Sequence, residues 1–209
     1  MEQTYAIELK NITKRFGKIV ANDGINLKVK RGEILSLLGE NGSGKTTLMN
    51  MISGIYFPDE GHILVDGKAV SIRSPKDSFD LGIGMIHQHF KLIDVMTAAE
   101  NIILGLKGNA VLDMKKVHKD IQELVDRYGF DLDPAQKVYT MSVSQKQTVE
   151  IVKMLYRGAN ILILDEPTAV LTPQEVDKLF EVLRNMRDDG RAIIIITHKL
   201  NEVLELSDR

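Results

Sequence analysis

The sequence predicts an α/β fold with a parallel sheet, because short apolar runs that suit buried strands alternate with segments of helical periodicity. The four runs are residues 34–38, 83–86, 161–164 and 192–196. Continuous apolar runs of this length are typical of parallel strands that helices cover on both faces. With 209 residues, of which 44% are hydrophobic, the chain is long enough to bury a large core, which excludes a disordered protein.

Two further segments predict an antiparallel part of the fold. Residues 5–29 have the pattern of short strands separated by turns, and residues 61–72 form a second strand-rich stretch. Asp66 and Gly67 supply the two-residue turn that is typical of a hairpin. We therefore expect an antiparallel β-region beside the parallel sheet.

Helices are predicted wherever a capping residue precedes an apolar stripe. The expected helices begin at Thr97, at Asp113, near Ser144 and at Thr172. Thr97 and Thr172 are each followed three residues later by a glutamate, which is the pattern of a capping box. Residues 96–158 lack a buried-strand run, so we predict a helical subdomain inserted into the core at this point.

Composition excludes several classes of protein. The absence of cysteine excludes thiolate metal sites, disulfide scaffolds and cysteine nucleophiles, and a formal charge of -2 does not indicate a nucleic-acid partner. The longest apolar run is far shorter than the ~20 residues that span a bilayer, and the N-terminus lacks the apolar centre of a signal peptide. The sequence thus predicts a soluble, cytoplasmic protein whose membrane role comes through a partner.

A glycine-rich motif follows the first apolar run directly. It reads GENGSGKT and matches the phosphate-binding pattern G-x-x-x-x-G-K-[ST] between a predicted strand and a predicted helix. Glycines let backbone N–H groups approach phosphate oxygens, the lysine reaches the β- and γ-phosphates, and the threonine hydroxyl can bind Mg²⁺. A glycine-rich turn that only caps a helix is the alternative. The residues predicted to bind ATP here are Gly39, Asn41, Gly42, Ser43, Gly44, Lys45, Thr46 and Thr47.

An acidic motif ends the third apolar run, where the sequence reads ILILDEP. Asp165 is predicted to bind Mg²⁺ or its water, and Glu166 to orient and deprotonate an attacking water. Taken alone, an acid at the end of a strand is equally typical of an ordinary turn. The phosphate-binding motif upstream favours the catalytic interpretation.

The phosphate loop, the LILDEPT block and the order of elements around them resemble the nucleotide-binding domain of ATP-binding cassette (ABC) ATPases over essentially the whole chain. The resemblance implies a P-loop NTPase fold with a RecA-like core, an antiparallel β-subdomain and an inserted α-helical subdomain. The core and β-subdomain would be residues 1–95 and 159–209, and the helical subdomain residues 96–158. The segments EPTAVLT and SVSQKQTVEIVKMLYRGA look most like the tandem-domain ATPases of bacterial sugar and nucleoside importers. Because the family usually continues into another strand beyond Arg209, we expect an N-terminal half that is truncated at its C-terminus.

The same resemblance implies roles for three residues outside those motifs. Phe16 resembles the aromatic residue that stacks on adenine, with a core aromatic of the β-subdomain as the alternative. Gln88 resembles the glutamine that contacts Mg²⁺ or the attacking water. His198 resembles the switch histidine that hydrogen-bonds the γ-phosphate, although a histidine after a buried strand is otherwise usually structural. His87 and His89 flank the glutamine and raise a metal site as an alternative, for which no third ligand is visible.

A partial match to the family signature LSGGQ occurs in the segment MSVSQKQ. By resemblance, Ser142, Ser144 and Gln145 would contact the γ-phosphate held by the opposite subunit. Val143 and Ser144 replace glycines, and Thr172 stands where the family usually has an aspartate that crosses the dimer interface. Because valine restricts the backbone, we expect a weakened contact in trans. A serine that only caps the helix is the alternative interpretation.

The resemblance implies a subunit that hydrolyses ATP with Mg²⁺ and powers the import of a sugar or nucleoside. The implied partners are an integral-membrane permease, a second nucleotide-binding domain and an extracytoplasmic substrate-binding protein, with no nucleic acid. The implied location is peripheral, at the cytoplasmic face of the cell membrane. Two alternatives stay open: a soluble tandem ABC ATPase that acts on ribosomes or nucleic acid, and a nucleotide-gated module with little turnover. Val143 and Thr172 favour the second alternative, and Glu166 argues against it.

Overall fold

The computed structural model of the protein describes residues 5–88, 90–106 and 113–209. The strands in these residues are β1 (Tyr5–Phe16), β2 (Ile19–Lys30), β3 (Glu33–Leu38), β4 (Glu60–Val65), β5 (Lys68–Val70), β6 (Ile83–Ile86), β7 (Ile161–Asp165) and β8 (Ala192–Thr197). The helices are α1 (Lys45–Ile52), α2 (Pro75–Asp80), α3 (Ala98–Ile103), α4 (Met114–Tyr128), α5 (Val143–Tyr156), α6 (Pro173–Asp188) and α7 (Leu200–Leu206). A short 3-10 helix covers Val138–Thr140.

Four strands form a parallel sheet in the order β3-β8-β7-β6. They correspond to the four apolar runs, so the predicted α/β fold with a parallel sheet is confirmed. Strand β8 lies inside the sheet, where Ile194 pairs with Leu35 of β3 and with Ile163 of β7. All six residues of β8 are buried.

The other four strands form an antiparallel sheet in the order β2-β1-β4-β5. Strands β1 and β2 have 12 residues each, so the expectation of short strands in residues 5–29 is wrong. Irregularities in the pairing, such as the register shift between Leu9 and Ile12, break the alternation of the sequence while the strands continue. The predicted hairpin turn is confirmed, because Asp66 and Gly67 join β4 to β5 with φ angles of 48° and 76°.

Two apolar cores cover the two faces of the parallel sheet. The first core lies between this sheet, α1 and the antiparallel sheet, and it includes Ile7, Met49 and Ile163. The second core lies between the parallel sheet and helices α5 and α6, and it includes Ile151 and Leu183. The parallel strands are therefore buried on both faces, which explains their continuous apolar sequences.

The described residues between β6 and β7 are helical and have an apolar core of their own, formed by α3, α4 and α5. Thr97 caps α3 and Asp113 caps α4, as predicted. Helix α5 begins one residue before Ser144, because Ser142 and Gln145 complete a capping box there.

Two short helices, α2 and α7, are absent from the sequence prediction. Helix α2 has a recognisable start, since Ser74 accepts a hydrogen bond from the backbone N–H of Asp77 and Pro75 opens the helix. Both helices have seven residues or fewer, which is too short to produce a clear apolar stripe. None of the helices in the described ranges is long and apolar enough to cross a membrane.

Candidate functional site

The parallel sheet places the predicted phosphate-loop and catalytic residues at one edge. The phosphate loop follows β3, Gln88 follows β6, Asp165 ends β7 and His198 follows β8. The carboxyl ends of parallel strands meet at a single edge, which is where ligands bind in open α/β sheets. Because β8 lies between β3 and β7, His198 follows a strand that is flanked by the phosphate loop on one side and the acidic motif on the other.

The phosphate loop turns tightly between β3 and α1. Gly42 and Gly44 have φ angles of 86° and 87°, in the left-handed region that glycine adopts without strain. A β-carbon on Gly44 would overlap the carbonyl oxygen of Ala21 in β2. The Gly44 carbonyl also accepts a hydrogen bond from the Asn22 side-chain amide at 3.3 Å. The loop is therefore anchored on the antiparallel sheet, and a larger residue at Gly44 would displace it.

The Lys45 ammonium lies within the phosphate loop. Its Nζ donates hydrogen bonds to the carbonyl oxygens of Gly39 at 2.7 Å and Glu40 at 2.8 Å, and to Ser43 Oγ at 3.2 Å. All three acceptors are neutral oxygens, and hydrogen bonds between two charged groups are stronger than these. An anionic phosphate is therefore a better partner for this ammonium than the loop itself.

The other residues that the motif assigns to ATP lie on the same loop and on the first turn of α1. Asn41 and Ser43 are exposed, and Thr47 is half-buried. Their contacts with a nucleotide stay predictions.

Thr46 and Asp165 connect the phosphate loop to the acidic motif. Thr46 Oγ1 donates a hydrogen bond to Asp165 Oδ2 at 3.4 Å. Burial, and then the neighbouring Glu166 carboxylate, raise the pKa of Asp165 above its ordinary value. A divalent cation at this position would relieve both effects, and hydroxyl and carboxylate oxygens are ligands that Mg²⁺ prefers. The residues present therefore fit the predicted Mg²⁺ site.

Glu166 and His198 form a direct pair. His198 Nδ1 lies 3.0 Å from Glu166 Oε1. Glu166 has a φ of 48°, a left-handed conformation that is uncommon for a residue other than glycine. Its backbone N–H donates to the carbonyl oxygen of Ile196 at 2.9 Å, which fixes this strained residue to β8. Strained backbone of this kind persists only where the surroundings hold it, and it is often found at functional sites.

Gln88 lies beside the acidic motif. Gln88, Asp165 and Glu166 line one small cavity of about 20 Å³. Gln147 of α5 lines the same cavity and is only 4% exposed, although the sequence analysis did not select it. A glutamine among buried apolar residues of α5 was the signal that could have identified it.

The parts of the chain that the structure describes contain no group of three or more histidine or acidic side chains that could hold a metal, and the alternative site at His87 and His89 is not tested by this. His87 is partly buried, and burial lowers the pKa of its imidazole. His89 lies outside the described residues.

Phe16 lies at the end of β1 and is 42% exposed, so the alternative of a core aromatic is wrong. Its ring packs edge-on against Tyr56, with 5.2 Å between the centroids, and Lys14 Nζ lies 5.5 Å from its centroid. Phe16 pairs with Ile19 at the start of β2, the strand whose later residues contact the phosphate loop. Tyr56 was missed because its sequence position, after α1, carries no motif.

The partial signature lies at the start of α5. The side-chain hydrogen bonds of its two serines are made to one another, to Gln145 and to Glu175, and not to the phosphate loop. Ser142 Oγ accepts from the backbone N–H of Gln145 at 3.2 Å, and Gln145 Oε1 accepts from the N–H of Ser142 at 3.1 Å. Ser144 Oγ lies 2.9 Å from Ser142 Oγ and donates to Glu175 Oε1 at 2.6 Å. Glu175 was predicted only as part of the α6 capping box, and its link to the signature was missed.

Comparison with known proteins identifies the family. The family model described as "ABC transporter" matches residues 22–169. The chain is 51% identical over 211 residues to the nucleoside import ATP-binding protein NupA of Lactococcus lactis, covering 100% of this chain and 42% of that protein. It is 53% identical over 207 residues to the guanosine import ATP-binding protein NupO of Bacillus subtilis, covering 98% of this chain and 41% of that protein. The chain thus spans about two fifths of the length of the curated relatives it matches.

Solved structures agree with the fold. The ADP conformation of MJ1267, an ATP-binding cassette of an ABC transporter, has a TM-score of 0.86 at 26% identity and covers 98% of this chain and 85% of that chain. The dimeric structure of MJ0796, a bacterial ABC transporter cassette, has a TM-score of 0.80 at 28% identity and covers 97% of this chain and 91% of that chain. The predicted RecA-like ABC ATPase fold is confirmed.

Proposed function

This chain belongs to the ABC transporter family, and on that premise we propose that it binds and hydrolyses ATP to power import through a separate membrane permease. One observation carries the ATPase part of the proposal: the sheet edge that bears the phosphate loop also bears the Thr46–Asp165 contact and the Glu166–His198 pair. A phosphate-binding lysine, a pair of metal-binding oxygens and a residue that deprotonates or positions the attacking water are recurring parts of P-loop enzymes that transfer a phosphoryl group to water.

In the proposed complex the phosphate loop binds the nucleotide. Lys45 exchanges its carbonyl partners for the β- and γ-phosphates, and the backbone N–H groups of the loop add further donors. Phe16 stacks on the adenine. Thr46, Asp165 and Gln88 are the residues that would hold Mg²⁺, and the ion supplies neutralisation of the charge that develops on the phosphates.

The proposed reaction is in-line attack of water on the γ-phosphorus. Glu166 takes the proton of the attacking water, while the bond from the γ-phosphorus to the β–γ bridging oxygen breaks and ADP leaves. In this proposal His198, whose Nδ1 lies 3.0 Å from Glu166 Oε1, donates to the γ-phosphate, and Gln88 orients the water. Catalysis therefore depends on positioning and on charge stabilisation.

We propose a core and β-subdomain of residues 1–95 and 159–209, with residues 96–158 as a helical subdomain. Its signature residues Ser142, Ser144 and Gln145 would meet the γ-phosphate held by a second nucleotide-binding domain, on the same polypeptide or on a second copy. The dimeric cassette among the similar structures, and the greater length of the relatives, support this arrangement.

The names of the relatives support the substrate class. They are import ATP-binding proteins for nucleosides, guanosine, glucose and ribose. We propose a permease and an extracytoplasmic substrate-binding protein for a sugar or nucleoside as partners, and the cytoplasmic face of the membrane as the location. Uptake of labelled nucleosides and sugars, by cells with the natural protein or its Glu166→Gln variant, tests this part.

Phosphate release from Mg-ATP by the purified chain tests the ATPase part. Glu166→Gln should reduce release by roughly 100-fold or more, because the amide cannot take the proton, while ATP binding persists. Lys45→Ala should abolish tight ATP binding. Glu40→Gln, an exposed acid on the loop, is the matched control and should behave as the unmodified chain. If Glu166→Gln releases phosphate as fast as the unmodified chain, Glu166 is not the catalytic base. If Lys45→Ala binds ATP with unchanged affinity, the phosphate loop is not the ATP-binding site.

One observation favours the second candidate, a nucleotide-gated module with little turnover. Ser144, which would bind phosphate in trans, already donates its hydroxyl to Glu175. Tight ATP binding without phosphate release in the unmodified chain, including when it is mixed with a second nucleotide-binding domain, would support this candidate.

A further inference from the structure

We propose that Glu202 is a positioning residue, which holds Glu166 and His198 in their relative positions by joining the loop that follows β7 to the last residue of β8. The inference rests on the proposed function, since it assigns Glu202 a role in the same hydrolytic reaction. Glu202 lies on α7 and belongs to none of the sequence motifs.

One oxygen of the Glu202 carboxylate binds the loop that follows β7, and the other binds the last residue of β8. Thr168 Oγ1 donates to Glu202 Oε1 at 2.5 Å, and Thr197 Oγ1 donates to Glu202 Oε2 at 3.1 Å. Each threonine is only 2% exposed, so their hydroxyls depend on these protein partners. Lys199 completes the cluster, since its Nζ lies 3.0 Å from Glu202 Oε1 and donates to the Thr168 carbonyl oxygen at 3.1 Å.

The two threonines lie next to the reacting pair in the chain. Thr168 follows Glu166 by two residues, and Thr197 directly precedes His198. A displacement of the loop after β7, or of the end of β8, would therefore alter the 3.0 Å contact between Glu166 Oε1 and His198 Nδ1. Charge-assisted hydrogen bonds to a carboxylate are the stronger class of hydrogen bond, which suits a clamp of this kind.

The backbone of Glu166 explains why a clamp is needed. Its φ of 48° is strained for a residue with a β-carbon, so relaxation of the loop would carry the carboxylate away from His198. The N–H of Glu166 is held by Ile196, and the carbonyl of Glu166 accepts from the N–H of Ala169 at 3.2 Å. Glu202 adds the side-chain restraint that joins this loop to the end of β8.

Helix α7 supplies its own control. Glu205 lies on the same helix, is exposed, and has Arg184 as its ion-pair partner at 3.8 Å. A general effect of removing an acid from α7 would appear equally in Glu202→Ala and Glu205→Ala. An effect on positioning would appear only in Glu202→Ala.

The first experiment measures steady-state ATP hydrolysis by the full chain. We expect Glu202→Ala to lower kcat roughly 10- to 100-fold with little change in KM for ATP, because misplacing reacting groups by about 1 Å has effects of this size. The kcat of Glu205→Ala should equal that of the unmodified chain.

Two variants of Thr168 test the same bond from its other side. Thr168→Val removes the hydroxyl at constant volume and should lower kcat as Glu202→Ala does. Thr168→Ser keeps the hydroxyl and should have the kcat of the unmodified chain. Equal kcat in Glu202→Ala and Glu205→Ala, or in Thr168→Val and Thr168→Ser, would overturn the proposal.

The second experiment separates the inference from the proposed function. Amide hydrogen exchange of the Glu166 N–H should accelerate in Glu202→Ala and in Thr168→Val, and not in Glu205→Ala, if Glu202 holds the loops. Unchanged exchange would overturn the clamp even where ATP is hydrolysed. A chain that releases no phosphate contradicts the proposed function, and hydrogen exchange then still decides whether the clamp exists. If Glu202→Ala does not fold, the two Thr168 variants decide both points.

Discussion

Ser144 donates its hydroxyl proton to the Glu175 carboxylate across 2.6 Å, and this bond joins the start of α5 to the start of α6. The other Glu175 oxygen accepts from the backbone N–H and the hydroxyl of Thr172, at 2.9 and 3.0 Å. Two of the three positions that depart from the family pattern, Ser144 and Thr172, are therefore bound to the same carboxylate. These hydrogen bonds lower the pKa of Glu175, and the bond from Ser144 has the largest effect. The Glu175 carboxylate is therefore charged at neutral pH.

A negative charge hydrogen-bonded to the signature should oppose the approach of a partner's γ-phosphate. In a Glu166→Gln background, Glu175→Gln should therefore strengthen Mg-ATP-dependent self-association by roughly 10-fold, since like charges at an interface disfavour association. The amide retains an acceptor for Ser144. Sedimentation with and without Mg-ATP measures the effect. Glu181→Gln, an acid on the same helix α6, is the control, and an equal response from it would contradict the prediction.

Val143 is the first residue of α5 and has no positive φ, so its backbone needs no glycine. Its side chain is 44% exposed, so we expect its bulk, and not its backbone, to hinder the approach of a partner's phosphate. Val143→Gly with Thr172→Asp should lower the dissociation constant of the ATP-bound dimer at least roughly 10-fold in a Glu166→Gln background. Light scattering coupled to size exclusion tests this. Tight dimerisation of the Glu166→Gln chain without these changes would refute a weakened trans face.

Asp165→Asn should stabilise the nucleotide-free fold while it weakens Mg-ATP binding. Burial and the Glu166 carboxylate raise the pKa of Asp165, so its charged form destabilises the fold. A raised pKa in the folded state contributes stability below the ordinary pKa of about 3.9, which is lost as pH rises through the higher folded value. The variant should therefore melt roughly 2–4 °C higher at pH 7. The gain should shrink towards pH 4, and a gain that is independent of pH would argue against the electrostatic cause.

Phe16→Ala should weaken ATP binding roughly 10-fold, since stacking of a base on an aromatic ring contributes about 1–3 kcal/mol. Phe16→Tyr retains the ring and should bind normally. Calorimetric titration of both variants with Mg-ATP gives the answer. Lys18→Ala, in the same turn, is the control for local disturbance, and an equal loss in this control would remove the assignment to adenine.

Much of the fold could be predicted because each buried parallel strand is a local, continuous apolar run. Helix starts at Thr97, Asp113 and Thr172 were equally accessible, since a cap and its partner lie within three residues. The phosphate loop and Asp165 were selected for the same reason, because each motif is contiguous in sequence.

Features that depend on distant residues could not be predicted. Glu175 and Ser144 are 31 positions apart, and Thr168 and Glu202 are 34 positions apart. The positive φ of Glu166 has no local signal in the sequence, and the backbone hydrogen bond of this residue is made to Ile196 in β8, 30 positions away. The full length of β1 and β2 was hidden by their irregular pairing, which interrupts the alternating pattern.

The position of β8 between two parallel neighbours has a consequence for changes in chain length. One residue inserted within residues 192–197 would move His198 by about 3.3 Å along the strand and turn the following side chains to the opposite face. Pairing on both sides leaves no free edge at which the extra residue could form a bulge. Scanning insertions should therefore find β8 to be among the least tolerant segments, and the exposed turn between β4 and β5 among the most tolerant.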